Sequence, residues 1–361
     1  MTRLRWLPLA LLACLPLLAA DETKKPTIGT VERLDPALDD LVPKGAVLEK
    51  LADGFAWTEG PVWVKKGGFL LFSDIPNNRV MKYADGEKVS VFLKPAGYMG
   101  KRTDYAEPGS NGLLIDPDGR LVLMEHGDRR VSRLALGKKP EDKETLADRY
   151  MGKRLNSPND GAFAKNGDLY FTDPPYGRMI KGPDGRPLTK DGELVFPERE
   201  LDFCGVYRLS KKDGKLTLLT KEMSYPNGIA LSPDEKTLYV GNSDPKQAVW
   251  MAFPIKEDGS LGKGKVFFDA TKWVGKKGKT ADGQPALQLP DGMKVDQKGN
   301  LFATGPGGLL VFTPEGKHLG TLATGVNTGN CCFGGDDGST LFIMCDKAIG
   351  RIKTKTKGLG F

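Results

Sequence analysis

One strand opening recurs along the chain and limits its fold more than any other feature. An acid or amide meets a glycine, an alternating apolar run follows, and a polar turn leads into a second apolar strand. The fullest copy is Leu289-Pro290-Asp291-Gly292-Met293-Lys294-Val295-Asp296, followed by a Gln-Lys-Gly-Asn turn and Leu301-Phe302-Ala303. Glu59-Gly60-Pro61-Val62-Trp63, Asn111-Gly112-Leu113-Leu114-Ile115, Asn159-Asp160-Gly161-Ala162-Phe163 and Asn227-Gly228-Ile229-Ala230-Leu231 follow the same plan. Gly329-Asn330-Cys331-Cys332-Phe333 is a weaker sixth copy. A third strand carries a basic-apolar phrase, as in Arg79-Val80-Met81-Lys82-Tyr83 and Arg130-Val131-Ser132-Arg133-Leu134. The openings recur on average every fifty or so residues, about the length of a four-stranded propeller blade. An all-β, six-bladed propeller with a central metal site is therefore expected over residues 51–361.

The remaining composition agrees. The 46 glycines and 25 prolines punctuate short apolar runs instead of forming tracts, as in a turn-rich β protein. Of the formal charge of +7, two units are Arg3 and Arg5, and no basic stripe is interleaved with aromatics, so nucleic acid is not an expected partner. Residues 1–20 read as a signal peptide: Arg3 and Arg5, an apolar run from Trp6 to Leu18, then Ala19-Ala20 before Asp21-Glu22. The apolar run is shorter than the roughly 20 residues of a spanning helix. The mature protein is thus expected to be exported, periplasmic or secreted, without stable membrane insertion. Lipid attachment at Cys14 is the alternative. Residues 21–50 read as a polar leader that wraps onto the outside of the propeller. For Cys204, Cys331, Cys332 and Cys345, one cross-strand disulfide involving Cys345 and small buried thiols are both open readings. No CxxC pair suggests a thiolate zinc site.

In a propeller the first strand of every blade lines the axial channel, so equivalent residues converge there. Glu59, Asn159, Asn227 and Asp291 would project into one pocket as two carboxylates and two amides. These hard oxygen donors suit a divalent cation, with calcium the expected ion. Asn-Gly and Asp-Gly are ordinary turn dipeptides when they occur singly. Their repetition at one place in the unit argues for convergence.

Several stretches resemble the senescence-marker-protein/gluconolactonase family of six-bladed propellers, most closely its bacterial gluconolactonase branch. They are Thr58-Glu59-Gly60-Pro61-Val62-Trp63, Asn156-Ser157-Pro158-Asn159-Asp160-Gly161, Tyr170-Phe171-Thr172-Asp173-Pro174-Pro175-Tyr176-Gly177, Pro226-Asn227-Gly228 and Leu289-Pro290-Asp291-Gly292-Met293, with Asp202-Phe203 before Gly205-Val206-Tyr207-Arg208. The resemblance implies a divalent ion held by Glu59, Asn159, Asn227 and Asp291, and calcium-dependent hydrolysis of a lactone, with a small sugar lactone such as gluconolactone as substrate. A metal-dependent phosphotriesterase or arylesterase on the same scaffold, or a sugar-binding propeller without turnover, are the alternatives.

A cation with open positions can polarise a lactone carbonyl while a carboxylate deprotonates the attacking water. Asp291 is the expected base as well as a ligand, a role the resemblance also implies. His126, in Glu125-His126-Gly127-Asp128-Arg129-Arg130, is the alternative, because histidine changes charge near neutrality. Asn111, Asn159 and Asp173 are the expected substrate contacts, Asp173 and Asp160 having a further reading as residues that orient ligands or cap the Pro174-Pro175 turn. Arg129 and Arg130 read as a solvated face. No Gly-x-Ser-x-Gly elbow is present, and Gly305-Pro306-Gly307-Gly308 lies between strands as a tight turn.

Overall fold

The computed structural model describes residues 26–277 and 287–360. The expected six-bladed propeller is the fold observed: six antiparallel sheets of four or five strands, with two small hairpins at 149–154 and 189–194. The first strands of the blades are Thr58–Val64, Ser110–Ile115, Gly161–Phe163, Pro226–Leu231, Met293–Val295 and Thr328–Gly334. Later strands of a blade pair outward in sequence order, as Phe69–Asp74, Arg79–Tyr83 and Ser90–Leu93 do in the first. Gly305 pairs with Gly308, so Pro306 and Gly307 form the tight turn expected of them.

Six apolar clusters hold the ring together, each shared by two consecutive blades. Leu121 and Leu123 pack back toward Leu71 and Val80 of the first blade, whereas Val122 and Met124 pack forward on Phe171 and Tyr207 of the third. Leu301 and Ala303 likewise face Trp250, and Phe302 faces Cys331 and Leu341. Side chains alternate across a strand, so a blade clamped on both faces needs apolar residues at odd and even positions alike. This is why the second strands read as unbroken apolar runs. Phe302, fully buried, contributes about 1.5–3 kcal/mol on transfer alone.

Closure of the ring uses the segment read as a leader. Glu49–Asp53 pairs antiparallel with Ala348–Lys353 as the outermost strand of the sixth blade. Thr30–Arg33 pairs with His318–Ala323 as a fifth strand on the fifth blade. Between them Pro36–Asp40 forms a short 3-10 turn, with Leu38 and Val42 buried between the last two blades. A boundary at residue 51 therefore falls inside a strand. Residues 1–20, and Cys14 with them, lie outside the described residues. No described helix is long and apolar enough to cross a membrane.

The cross-strand disulfide does not form: Cys204, Cys331, Cys332 and Cys345 are free and buried. Register is the reason. Cys345 stands opposite Thr328, while Cys331 and Cys332 stand opposite Ile343 and Phe342.

Candidate functional site

The glycine of each opening answers to crowding at the axis. A Cβ on Gly60 would lie 1.9 Å from the Asn111 carbonyl oxygen, and one on Gly228 would lie 2.1 Å from that of Asp291. Only glycine lets neighbouring first strands approach so closely. Hydroxyls on the second strands set the spacing. Ser73 donates to the Asn111 carbonyl (2.7 Å), Thr172 to that of Asn227 (2.6 Å), Thr304 to that of Gly329 (2.7 Å), and Ser243 to that of Pro290. The residues that open the blades are thereby fixed against their neighbours.

Those openings surround a cavity of about 180 Å³ whose wall includes Glu59, Asn111, Asn159, Asn227 and Asp291. Glu59 is 1% exposed and accepts from the Gly60 N–H (2.7 Å) and from Asn330 Nδ2 (3.1 Å). Burial first, then the nearby Asp160 and Glu107 charges, holds its carboxyl above the usual range. Asp291 is likewise pushed well up, by burial and then by repulsion from Glu59, Asp160 and Glu107. Asn227 donates from Nδ2 to Ser243 Oγ (3.0 Å). Asn159, 1% exposed, leaves its Nδ2 without a partner. Beneath Glu59 the channel carries Asp160, whose Oδ2 lies 3.2 Å from Asn330 Nδ2 and 3.8 Å from the Lys294 ammonium.

Two mutually repelling carboxylates, Glu59 and Asp291, form a costly arrangement that a divalent cation would relieve. Among the described residues no three His, Cys, Asp or Glu side chains converge to hold a metal. Two of the four proposed donors are amides, so the set does not depend on such a cluster.

Not every expected residue reaches this cavity. Asp173 is fully buried and accepts the backbone N–H groups of Asn156 and Ser157, both at 2.8 Å, so it anchors the segment leading to Asn159 instead of meeting a substrate. Burial pushes its carboxyl up to about 7. His126 is fully buried behind the wall, with its Nδ1 3.4 Å from Glu107 Oε2. Arg129 and Arg130 are not a solvated face. Arg129 is buried and donates to the Leu155 carbonyl (2.7 Å), while Arg130 pairs with buried Glu125 (2.8 Å).

Other wall residues escaped the sequence reading, namely Glu107, Tyr176, Ser243 and Gln288. Burial pushes the Tyr176 phenol well above its ordinary range, which keeps it a neutral hydrogen-bond donor. Glu107 immediately precedes the second-blade opening in Glu107-Pro108-Gly109-Ser110-Asn111. That placement was the one available signal.

Residues 57–346 match the profile described as the SMP-30/Gluconolactonase/LRE-like region. The chain is 39% identical to a gluconolactonase of Zymomonas mobilis, over 92% of this chain and 88% of the relative. It is 26% identical to regucalcin of Xenopus laevis, over 80% of this chain and 83% of that one. A solved structure from Xanthomonas campestris, described as a gluconolactonase important in glucose secondary metabolic pathways, superposes with a TM-score of 0.73 at 30% identity, covering 91% of this chain and 97% of its own.

Proposed function

We propose, from the premise that this chain belongs to the SMP-30/gluconolactonase/LRE-like family, that its axial cavity hydrolyses a sugar lactone such as gluconolactone with the help of a divalent cation, calcium being the expected ion. The observation that carries the reading is the mutually repelling Glu59–Asp291 carboxylate pair sharing one small cavity with Asn159 and Asn227. Glu59, Asn159, Asn227 and Asp291 would hold the ion. Calcium suits this hard, mixed-charge oxygen set. When bound, the ion supplies positive charge toward a lactone carbonyl and the oxyanion that develops from it.

The chain's own groups do the rest. Asn111 offers an amide to a ring hydroxyl, and Tyr176, held neutral, donates a hydrogen bond. Asp291, once its lone pairs are directed at a cation, is a weak base. Export of the mature protein to the periplasm or beyond, from the character of residues 1–20, belongs to the same proposal.

A panel of sugar lactones assayed with and without chelator tests the reading. Turnover that chelator abolishes and added calcium restores is the expected result. Turnover of phosphotriesters alone, or binding without turnover, would overturn it.

A further inference from the structure

Three carboxylates share the cavity wall, and only two belong to the proposed ion site. The third, Glu107, comes from the loop that leads into the second blade and keeps a side chain 23% exposed. Behind it stands His126, fully buried, with neither Nδ1 nor Nε2 hydrogen-bonded. A buried polar ring without partners is costly and calls for a reason.

The ring is not loosely placed. The His126 backbone N–H donates to the Gly109 carbonyl (3.1 Å), and its backbone carbonyl accepts from Arg178 Nη2 (3.0 Å). Its Cβ lies so near Gly177 that a Cβ there would be only 2.5 Å away. Nδ1 faces Glu107 Oε2 at 3.4 Å. That is slightly long for a hydrogen bond, a common state of proton-transfer pairs before substrate binds.

We propose that Glu107 is the catalytic base of the lactone hydrolysis and that His126 is its positioning residue; this rests on the lactonase reading given above. The water oxygen bonds to the lactone carbonyl carbon as one of its O–H bonds breaks, and the proton passes to the Glu107 carboxylate. When the adduct collapses, the ring C–O bond breaks and Glu107 returns that proton to the ring oxygen. One water is added across one bond, and no other reactant is consumed. An uncoordinated carboxylate suits this exchange better than Asp291, whose lone pairs the cation would occupy. His126 Nδ1, with no competing partner, holds Glu107 toward the cavity.

The test compares variants at saturating calcium, with ion occupancy checked by calorimetry. Glu107→Gln should lose about 10²- to 10⁴-fold in kcat. Glu107→Ala should lose a similar factor and regain part of it with added formate, which a structural role would not produce. His126→Phe should lose about 10- to 100-fold, the size typical of a removed supporting partner, and His126→Asn, which keeps a polar group near Nδ1, should recover most of that loss. If His126→Phe does not fold, the formate experiment decides alone. A Glu107→Gln rate within about threefold of an active wild type, well short of the loss of a base, or a Glu107→Ala loss that formate leaves unchanged, overturns the proposal. A wild-type chain that turns over no lactone removes the lactonase reading and this proposal together, a result plainly different from an active wild type with an active Glu107→Gln.

Discussion

At the scale of single residues, Glu59 and Asp291 repel one another in a way that the proposed cation would relieve. Asn159→Ala deletes a buried amide nitrogen without a partner, so ion-free stability should hold or rise while calcium affinity falls by about tenfold or more, or roughly 1.4 kcal/mol. Calorimetric titration and thermal melts measure the two effects separately, and unchanged affinity would remove Asn159 from the ion site. Asp291→Asn removes one member of the repelling pair. It should also melt higher without ion, and regain most of its rate at saturating calcium if the base lies elsewhere. A rate still lower by 10²-fold or more would return the base role to Asp291. Glu59, Asn227 and Asp291 were singled out because each precedes a glycine at a repeated place, and Asn159 because it stands one residue further back in the same opening. Glu107 and Tyr176 were not, because they arrive from loops whose course no periodicity announces. Asp173 misled for a related reason: a strand-end carboxylate can turn to the cavity or to the adjoining backbone, and only the fold decides.

At the scale of the element, the blades were readable because a strand clamped between two neighbours must be apolar on both faces. The links that orient them were hidden. Ser73, Thr172, Ser243 and Thr304 look like ordinary strand hydroxyls, and their carbonyl partners lie in the next blade. The cysteine pairing failed on register, which a bulge between Thr328 and Cys331 shifts. The fifth blade carries its own pH sensitivity. On its fourth strand, His318 packs among Phe268, Trp273 and Phe312, with Nε2 2.9 Å from the Gly320 carbonyl. Burial lowers its pKa below the ordinary 6.5. The neutral ring is thus favoured in the fold, so this contribution is complete above the unfolded value and is lost as pH falls below about 6.5 toward the folded value. His318→Phe should flatten the decline in melting temperature over that acid range. An unchanged slope would assign the decline to other groups.

At the scale of the whole molecule, the ring depends on strands from the start of the chain. A chain beginning after residue 34 lacks the fifth strand of the fifth blade and should melt at least a few degrees lower, since about 1 kcal/mol shifts a melt by some 2–4 °C in large domains. A chain beginning after residue 53 also uncovers the edge of the sixth blade and the pocket filled by Leu38 and Val42, and should aggregate. A wild-type melting temperature for that shorter chain would show that closure does not need these strands. The same pairings tie folding to completion of synthesis. Thr30 meets Ala323 and Glu49 meets Arg351, so strands near residues 30 and 50 wait during synthesis for partners near residues 320 and 350. Until those arrive, two sheet edges stay open for proteases and chaperones to inspect. A chain cut short before Ala348 still pairs Thr30–Arg33 with its partner strand but leaves Glu49–Asp53 without one, and that open edge marks the unfinished molecule.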